Sequence, residues 1–215
     1  MNTNPSAKRI LCYGDSNTWG FIPLSGKRYP ADVRWPGVLQ DLLGNDYEVI
    51  EEGLNSRTTN INDPKNFGRN AKTYLIPCLK AQNPLDLVIL FLGTNDMKAR
   101  FNRSLPDIET GIRELITEIR ERRNYSYDKI PHIILLSPPV LEDSIEYVKK
   151  KFAGAKVKSL KLPSIFEKVA LDVKCDYINI QAFLKPSLKD GCHLEPEDHR
   201  LLGKVIAEKI REYYI

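Results

Sequence analysis

The chain has 215 residues, 42% of them hydrophobic and 28% charged, with a formal net charge of +4. That composition is ordinary for a globular domain, and the positive excess is too small for the concentrated basic face that nucleic acid requires. No apolar run approaches the length that spans a bilayer, and no apolar signal region precedes the first strand, so a cytoplasmic location is expected unless an export signal has been removed.

Apolar runs and helical patterns alternate along the chain, the signature of a parallel sheet with crossover helices. The first strand is expected at 9–14 and ends in Gly14-Asp15-Ser16-Asn17-Thr18-Trp19-Gly20. A short helix follows at 35–43, then a strand at 47–52 that runs into Gly53-Leu54-Asn55-Ser56-Arg57. Residues 70–82 read as a helix carrying Pro77, and the third strand, 86–92, leads to Gly93-Thr94-Asn95-Asp96. Ile108, Ile112, Leu115, Ile116 and Ile119 recur at helical spacing within 106–123, which marks an amphipathic helix. The run Ile133-Ile134-Leu135-Leu136 places a fourth strand at 132–137 with both faces covered. The densest basic stretch, from Lys149 to Lys161, reads as a solvated helical face. A helix at 157–173 carries Pro163, and a fifth strand is expected at 175–180. Asp190-Gly191-Cys192-His193 then precedes the last helix, 196–213, whose start carries Glu195, Glu197 and Asp198 at the positive end of the helix dipole.

The expected fold is α/β: one domain over residues 1–215, a three-layer αβα sandwich around a doubly wound five-stranded parallel sheet of flavodoxin-like type. Ligands of such sheets bind outside the carboxyl ends of the strands. Here those ends supply a hydroxyl, glycine backbone, a carboxamide, and an imidazole with a carboxylate three residues away. These are the parts of acyl transfer. Serine is a poor nucleophile until a base takes its proton, and histidine suits that role near neutral pH. A carboxylate then fixes the imidazole tautomer and stabilises its charged form. The assignment is Ser16 as nucleophile, His193 as base and Asp190 as its carboxylate. The Ser16 and Gly53 amides and the Asn95 side chain are oxyanion donors, each typically worth roughly a hundredfold or more in rate.

Several residues have plainer readings. His132 opens a buried strand and His199 lies within the last helix, so both are expected to be structural. Asp15 and Asp96 shape turns, and Arg57 pins its own loop. Gly53 answers to a positive φ as well as to chemistry. Trp19 follows the nucleophile closely enough to line a substrate pocket, while Phe21 and Trp35 divide evenly between pocket and core. Four cysteines lack any zinc-binding spacing. Cys12, Cys78 and Cys175 are expected to be buried thiols, and Cys192 to point away from the base.

The four strand-end segments resemble the sequence blocks of the SGNH hydrolases, or GDSL-type esterases, whose Ser, Gly, Asn and His fall on Ser16, Gly53, Asn95 and His193, with the last block's acid on Asp190. GDSNTWGF, DVRWPGVL, YEVIEEGLNSRTTNI, LDLVILFLGTNDMKA and DGCHL look like the bacterial arylesterase/acyltransferase subgroup. The resemblance covers nearly the whole chain. It implies hydrolysis of short-chain, acetyl-type esters without metal or organic cofactor, acyl transfer to alcohols or peroxide, a small-molecule ester as partner, and a homo-oligomer as an expectation. Two positions depart from the pattern: Asn17 replaces the leucine of the GDSL name, and Asn55 follows Gly53-Leu54. Both sit where the acyl group or acceptor is expected, so both are assigned to the substrate pocket. Two other readings stay open. One is a metal-dependent phosphoesterase with Asp15, Asn95, Asp190 and His193 as ligands. The other is a non-catalytic module that binds acylated glycans.

Overall fold

The computed structural model describes residues 2–121 and 129–214. Five strands, β1 (Lys8–Gly14), β2 (Tyr47–Gly53), β3 (Leu87–Phe91), β4 (His132–Leu136) and β5 (Asp176–Ile178), pair in parallel in the order β2-β1-β3-β4-β5. The helices are α1 (Ser16–Trp19), α2 (Trp35–Leu43), α3 (Ala71–Ala81), α4 (Leu105–Arg120), α5 (Glu146–Lys151), α6 (Ala155–Val173) and α7 (Pro196–Tyr214). Successive strand side chains point to opposite faces, and the two apolar layers follow that alternation. Leu11, Tyr13, Val88 and Leu90 pack under α3, α4 and α6, through residues such as Leu75, Ile112 and Phe166. Ile10, Cys12, Leu87, Ile89 and Phe91 pack under α2 and α7, against Trp35, Leu39, Leu202 and Ile206. The expected three-layer α/β sandwich is the observed one.

The differences from the expected elements have local causes. The amphipathic helix α4 starts one residue early because Ser104 and Asp107 form a reciprocal capping box. Residues 122 and 123 of its expected span lie outside the described residues. Strand β5 is shorter than 175–180 because Asn179 accepts from Gln181 N at 3.1 Å and turns the chain into a 3-10 turn. Both prolines sit inside continuous helices. Pro163 has no N–H to offer Ser159 O one turn back, and Gln181 Nε2 donates to that carbonyl instead, at 3.0 Å. Pro77 similarly leaves Thr73 O without its helical donor, on an exposed residue where water can serve. Two short helices, α1 and α5, carry too few residues to show a period.

The strand order decides where a ligand can lie. From β1 the chain passes to β2 on one side and β3 on the other, so the connections diverge and open a crevice above the carboxyl end of β1. The register aligns Gly14 with both Gly53 and Phe91 at that edge.

Candidate active site

Strand β1 ends at Gly14, and Asp15 caps α1 by accepting from Asn17 N at 3.0 Å. Ser16 is therefore the first residue of a helical turn, where the backbone N–H has no intrahelical acceptor. A β-carbon at Gly14 would stand 2.0 Å from Thr18 Oγ1, and one at Gly53 would stand 2.2 Å from Trp19 N. Gly53 does not use the left-handed region, so the positive-φ expectation is replaced by close approach: β2 lies directly against α1.

The loop before α7 is built around Asp190. Its Oδ1 accepts from Cys192 N and His193 N, both at 3.0 Å, and its Oδ2 lies 2.6 Å from His193 Nδ1. Gly191 sits at φ +71, which lets the chain fold back over the carboxylate. The opposite imidazole nitrogen, Nε2, is 3.0 Å from Ser16 Oγ. Burial alone would raise the Asp190 pKa, but the hydrogen bonds and charge of His193 and the Cys192 amide outweigh it and hold the carboxyl below its usual range. Nδ1–H donates to that carboxylate, which leaves Nε2 free to accept the serine proton. The Phe21 ring lies 4.4 Å from the imidazole, centroid to centroid, tilted 30° to its plane.

Asn95 opens a 3-10 turn after β3, and its Nδ2 donates to Asp15 Oδ2 at 3.3 Å. An amide nitrogen has two hydrogens, so one remains for another acceptor. Burial pushes the Asp15 carboxyl up to about 6, against the Asn17 hydrogen bond and the nearby charges of His193 and Lys98. Asp96 is fully buried and accepts from Thr59 N, Thr59 Oγ1 and Arg103, so it ties the Asn95 turn to the segment after β2. Arg57 donates to Gly14 O and Glu52 O, with its guanidinium 4.3 Å above the Tyr13 ring. It pins the loop at the mouth of the sheet, as expected.

Ser16, Asn55, Asn95 and His193 open on one half-open cavity of about 480 Å³. Two of the three expected pocket residues are elsewhere. Asn17, next to Ser16, has its side chain turned to the backbone of Cys192 and Leu194. Trp19 packs on Phe21 and under Arg28, off the cavity wall. Phe21 is a wall residue, and Trp35 belongs to the core. His132 is exposed at the amino end of β4, the far edge of the sheet, although the strand it opens is buried. His199 is fully buried, and its Nδ1 accepts from Trp35 N at 3.3 Å. Of the thiols, Cys12 and Cys78 are buried and Cys175 only half-buried. Cys192 does reach the cavity wall, where burial keeps its thiol protonated.

Sequence reasoning missed six residues of the cavity lining. Tyr147, Lys151 and Phe152 come from α5 and its end, and Leu24, Ser25 and Gly26 from the turn after α1. The tyrosine and phenylalanine carried no signal, since α5 is too short for a period. Lys151 sat inside the basic stretch read as a solvated face. The metal-ligand reading meets a different obstacle. Asp190 and Asp15 are each engaged by hydrogen bonds within their own loops, and no group of three His, Cys, Asp or Glu among the described residues converges as a metal site would.

The arrangement puts a buried hydroxyl beside a base whose tautomer is set, at the edge of a cavity lined by further hydrogen-bond donors. That is a layout for activating a serine toward an electrophilic carbon. The comparisons agree with it. The GDSL-like lipase/acylhydrolase family matches residues 12–201. The chain is similar to the native aryl esterase of M. smegmatis, at 39% identity and TM-score 0.90, covering 96% of this chain and 99% of that one. It is also similar to a carbohydrate acetylesterase from Sinorhizobium meliloti, at 33% identity and TM-score 0.92, covering 96% and 100%. The comparison with curated proteins finds no match. With a matched span that reaches from β1 into α7, the chain belongs to the GDSL-like lipase/acylhydrolase family and is a carboxylic ester hydrolase of the SGNH fold.

Proposed function

We propose that the chain hydrolyses small carboxylic esters through an acyl-enzyme on Ser16. The observation that carries this reading is the unbroken relay from Ser16 Oγ to His193 Nε2 at 3.0 Å and from His193 Nδ1 to Asp190 Oδ2 at 2.6 Å. His193 takes the serine proton as Oγ bonds to the ester carbon. The oxyanion that forms is met by Ser16 N–H, Gly53 N–H and the free hydrogen of Asn95 Nδ2. Collapse breaks the bond to the alcohol, which leaves with the proton from His193. Water then repeats the cycle on the acyl-serine and releases the acid. An alcohol or peroxide in place of that water would carry the acyl group away instead.

A cavity of about 480 Å³ with Phe21, Tyr147 and Phe152 on its walls has room for a small ester, acyl and alcohol parts together. The names of the two similar structures, an aryl esterase and a carbohydrate acetylesterase, support the same class. A serine-reactive organophosphonate is expected to label Ser16 stoichiometrically. Ser16→Ala is expected to keep the fold and lose label and turnover, the latter by at least about a thousandfold. Near-normal hydrolysis in that variant would end the proposal. Ligand binding with neither label nor turnover would favour the glycan-binding module, and activity abolished by a chelator would favour the phosphoesterase.

A further inference from the structure

Among the described residues that line the cavity, Lys151 carries the one permanent charge, and no carboxylate shares the wall. Its Nζ lies 4.2 Å over the Tyr147 ring, and that ring lies 6.0 Å from the His193 ring. Contact with an aromatic face holds an ammonium without neutralising it. The acids nearest along the chain are committed elsewhere: Glu146 pairs with Lys150 at 3.4 Å, and Glu142 and Asp143 both pair with Lys156.

A second cation stands near the same wall. Lys98 is 5% exposed, and its ammonium makes no hydrogen bond or ion pair with a described residue. It lies within electrostatic reach of Lys151 and Cys192. Burial first, and Arg100 and Lys151 after it, bring its pKa down to about 8, which leaves it charged at neutral pH. Asp63 and Asp15 are the carboxylates within its electrostatic reach; Asp63 is engaged by Arg100, and Asp15 by Asn17 N and Asn95 Nδ2. Lys151 is therefore the ammonium that faces the cavity, and Lys98, within electrostatic reach of it, adds to the positive field on that side. A concave wall with uncompensated positive charge concentrates anions and orients them on arrival.

We propose that this site selects esters bearing a carboxylate several bonds from the scissile carbonyl, with Lys151 as the specificity-determining residue that receives it. The inference rests on the acyl-Ser16 reading above and names the substrate class of that same site. The carboxylate can belong to the acyl part, as in a half-ester of a dicarboxylic acid, or to the departing alcohol or phenol. Because Lys151 is an exposed residue, the preference weakens as salt is added.

The experiment measures kcat/KM for two matched pairs. p-Nitrophenyl hemiglutarate and its methyl ester place the charge on the acyl side, whereas 4-acetoxybenzoate and its methyl ester place it on the leaving group. The unmodified protein is expected to favour one acid over its methyl ester by about tenfold, the scale of one partly screened charge contact. Which pair shows the preference identifies the side. Lys151→Met should abolish that ratio, Lys151→Glu reverse it, and Lys151→Arg restore it. Lys150→Met, one residue away and off the cavity, should leave the ratio in place. Turnover of the methyl esters with no preference for either acid, or with a ratio unmoved in Lys151→Met, overturns this inference alone. No turnover of any ester, together with no label on Ser16, removes the acyl-enzyme reading and this inference with it.

Discussion

Asn17 stands where the family's name has leucine, and its contacts show what the exchange does. Its Oδ1 accepts from Leu194 N at 3.2 Å and its Nδ2 donates to Cys192 O at 3.5 Å, so one carboxamide grips the backbone on both sides of His193. The Ser16 turn thereby holds the His193 loop in register, a positioning role that leucine cannot fill. Asn17→Leu is expected to lower kcat by about tenfold to a hundredfold with little change in KM, since the ground-state cavity is untouched. A raised KM at unchanged kcat would return Asn17 to the substrate pocket. Asp15 acts on the same scale. Its two oxygens hold Asn17 N and Asn95 Nδ2, so one buried carboxyl sets both the serine turn and the carboxamide beside it.

Between elements, the decisive contact is β2 against α1. Strand β2 delivers Gly53 to the edge of the sheet, and the β-carbon of any other residue would meet Trp19 N at 2.2 Å and Thr18 C at 2.6 Å. Backbone atoms in a helical turn cannot rotate aside as a side chain can. Gly53→Ala is therefore expected to cost about 1–3 kcal/mol, the usual range for overpacking, and to displace Ser16 as α1 shifts. Urea unfolding and kcat measured on the same variant check this, and a stable variant with normal kcat would show that the contact yields easily. On the other face of the sheet, α2 begins without a side-chain cap from Arg34, and His199 of α7 accepts the Trp35 amide instead. That bond docks two helices through an otherwise orphaned N–H.

For the whole molecule, this docking couples stability to pH. Burial pushes His199 down to about 3 from an ordinary value of 6.5, with the charges of His193 and Arg34 adding to the shift. The folded state therefore refuses a proton that the unfolded chain accepts, so the stability tied to neutral His199 is complete above 6.5 and is lost as pH falls toward 3. Asp15 works in the opposite sense. Its folded pKa of about 6 exceeds the ordinary 3.8, so its contribution favours the fold at low pH and declines as pH rises between those values. A variant separates the two. His199→Asn retains an acceptor for Trp35 N without the titration, and between pH 5 and 6 its unfolding free energy should rise with pH less steeply, by up to about 1.4 kcal/mol per unit. Parallel pH profiles for the two proteins would place the acid sensitivity elsewhere. The described helices include none long and apolar enough to cross a membrane.

Local chemistry was legible in the sequence. Short apolar runs between helical patterns located all five strands, the isoleucines of α4 marked its buried face, and the spacing of Asp190 and His193 fits a single turn that brings carboxylate to imidazole. Those features depend on neighbours a few residues away, and backbone geometry converts such spacing directly into proximity. Tertiary structure alone decided the strand order β2-β1-β3-β4-β5, the inward turn of Lys151 and Tyr147 from a six-residue helix, and the turning of Asn17 away from the cavity toward the His193 loop. Each of these is set by partners distant in the chain, Asn17 by Cys192 and Leu194 and Tyr147 by His193. A pattern of residue types along the chain carries no record of which distant surface a short turn will meet.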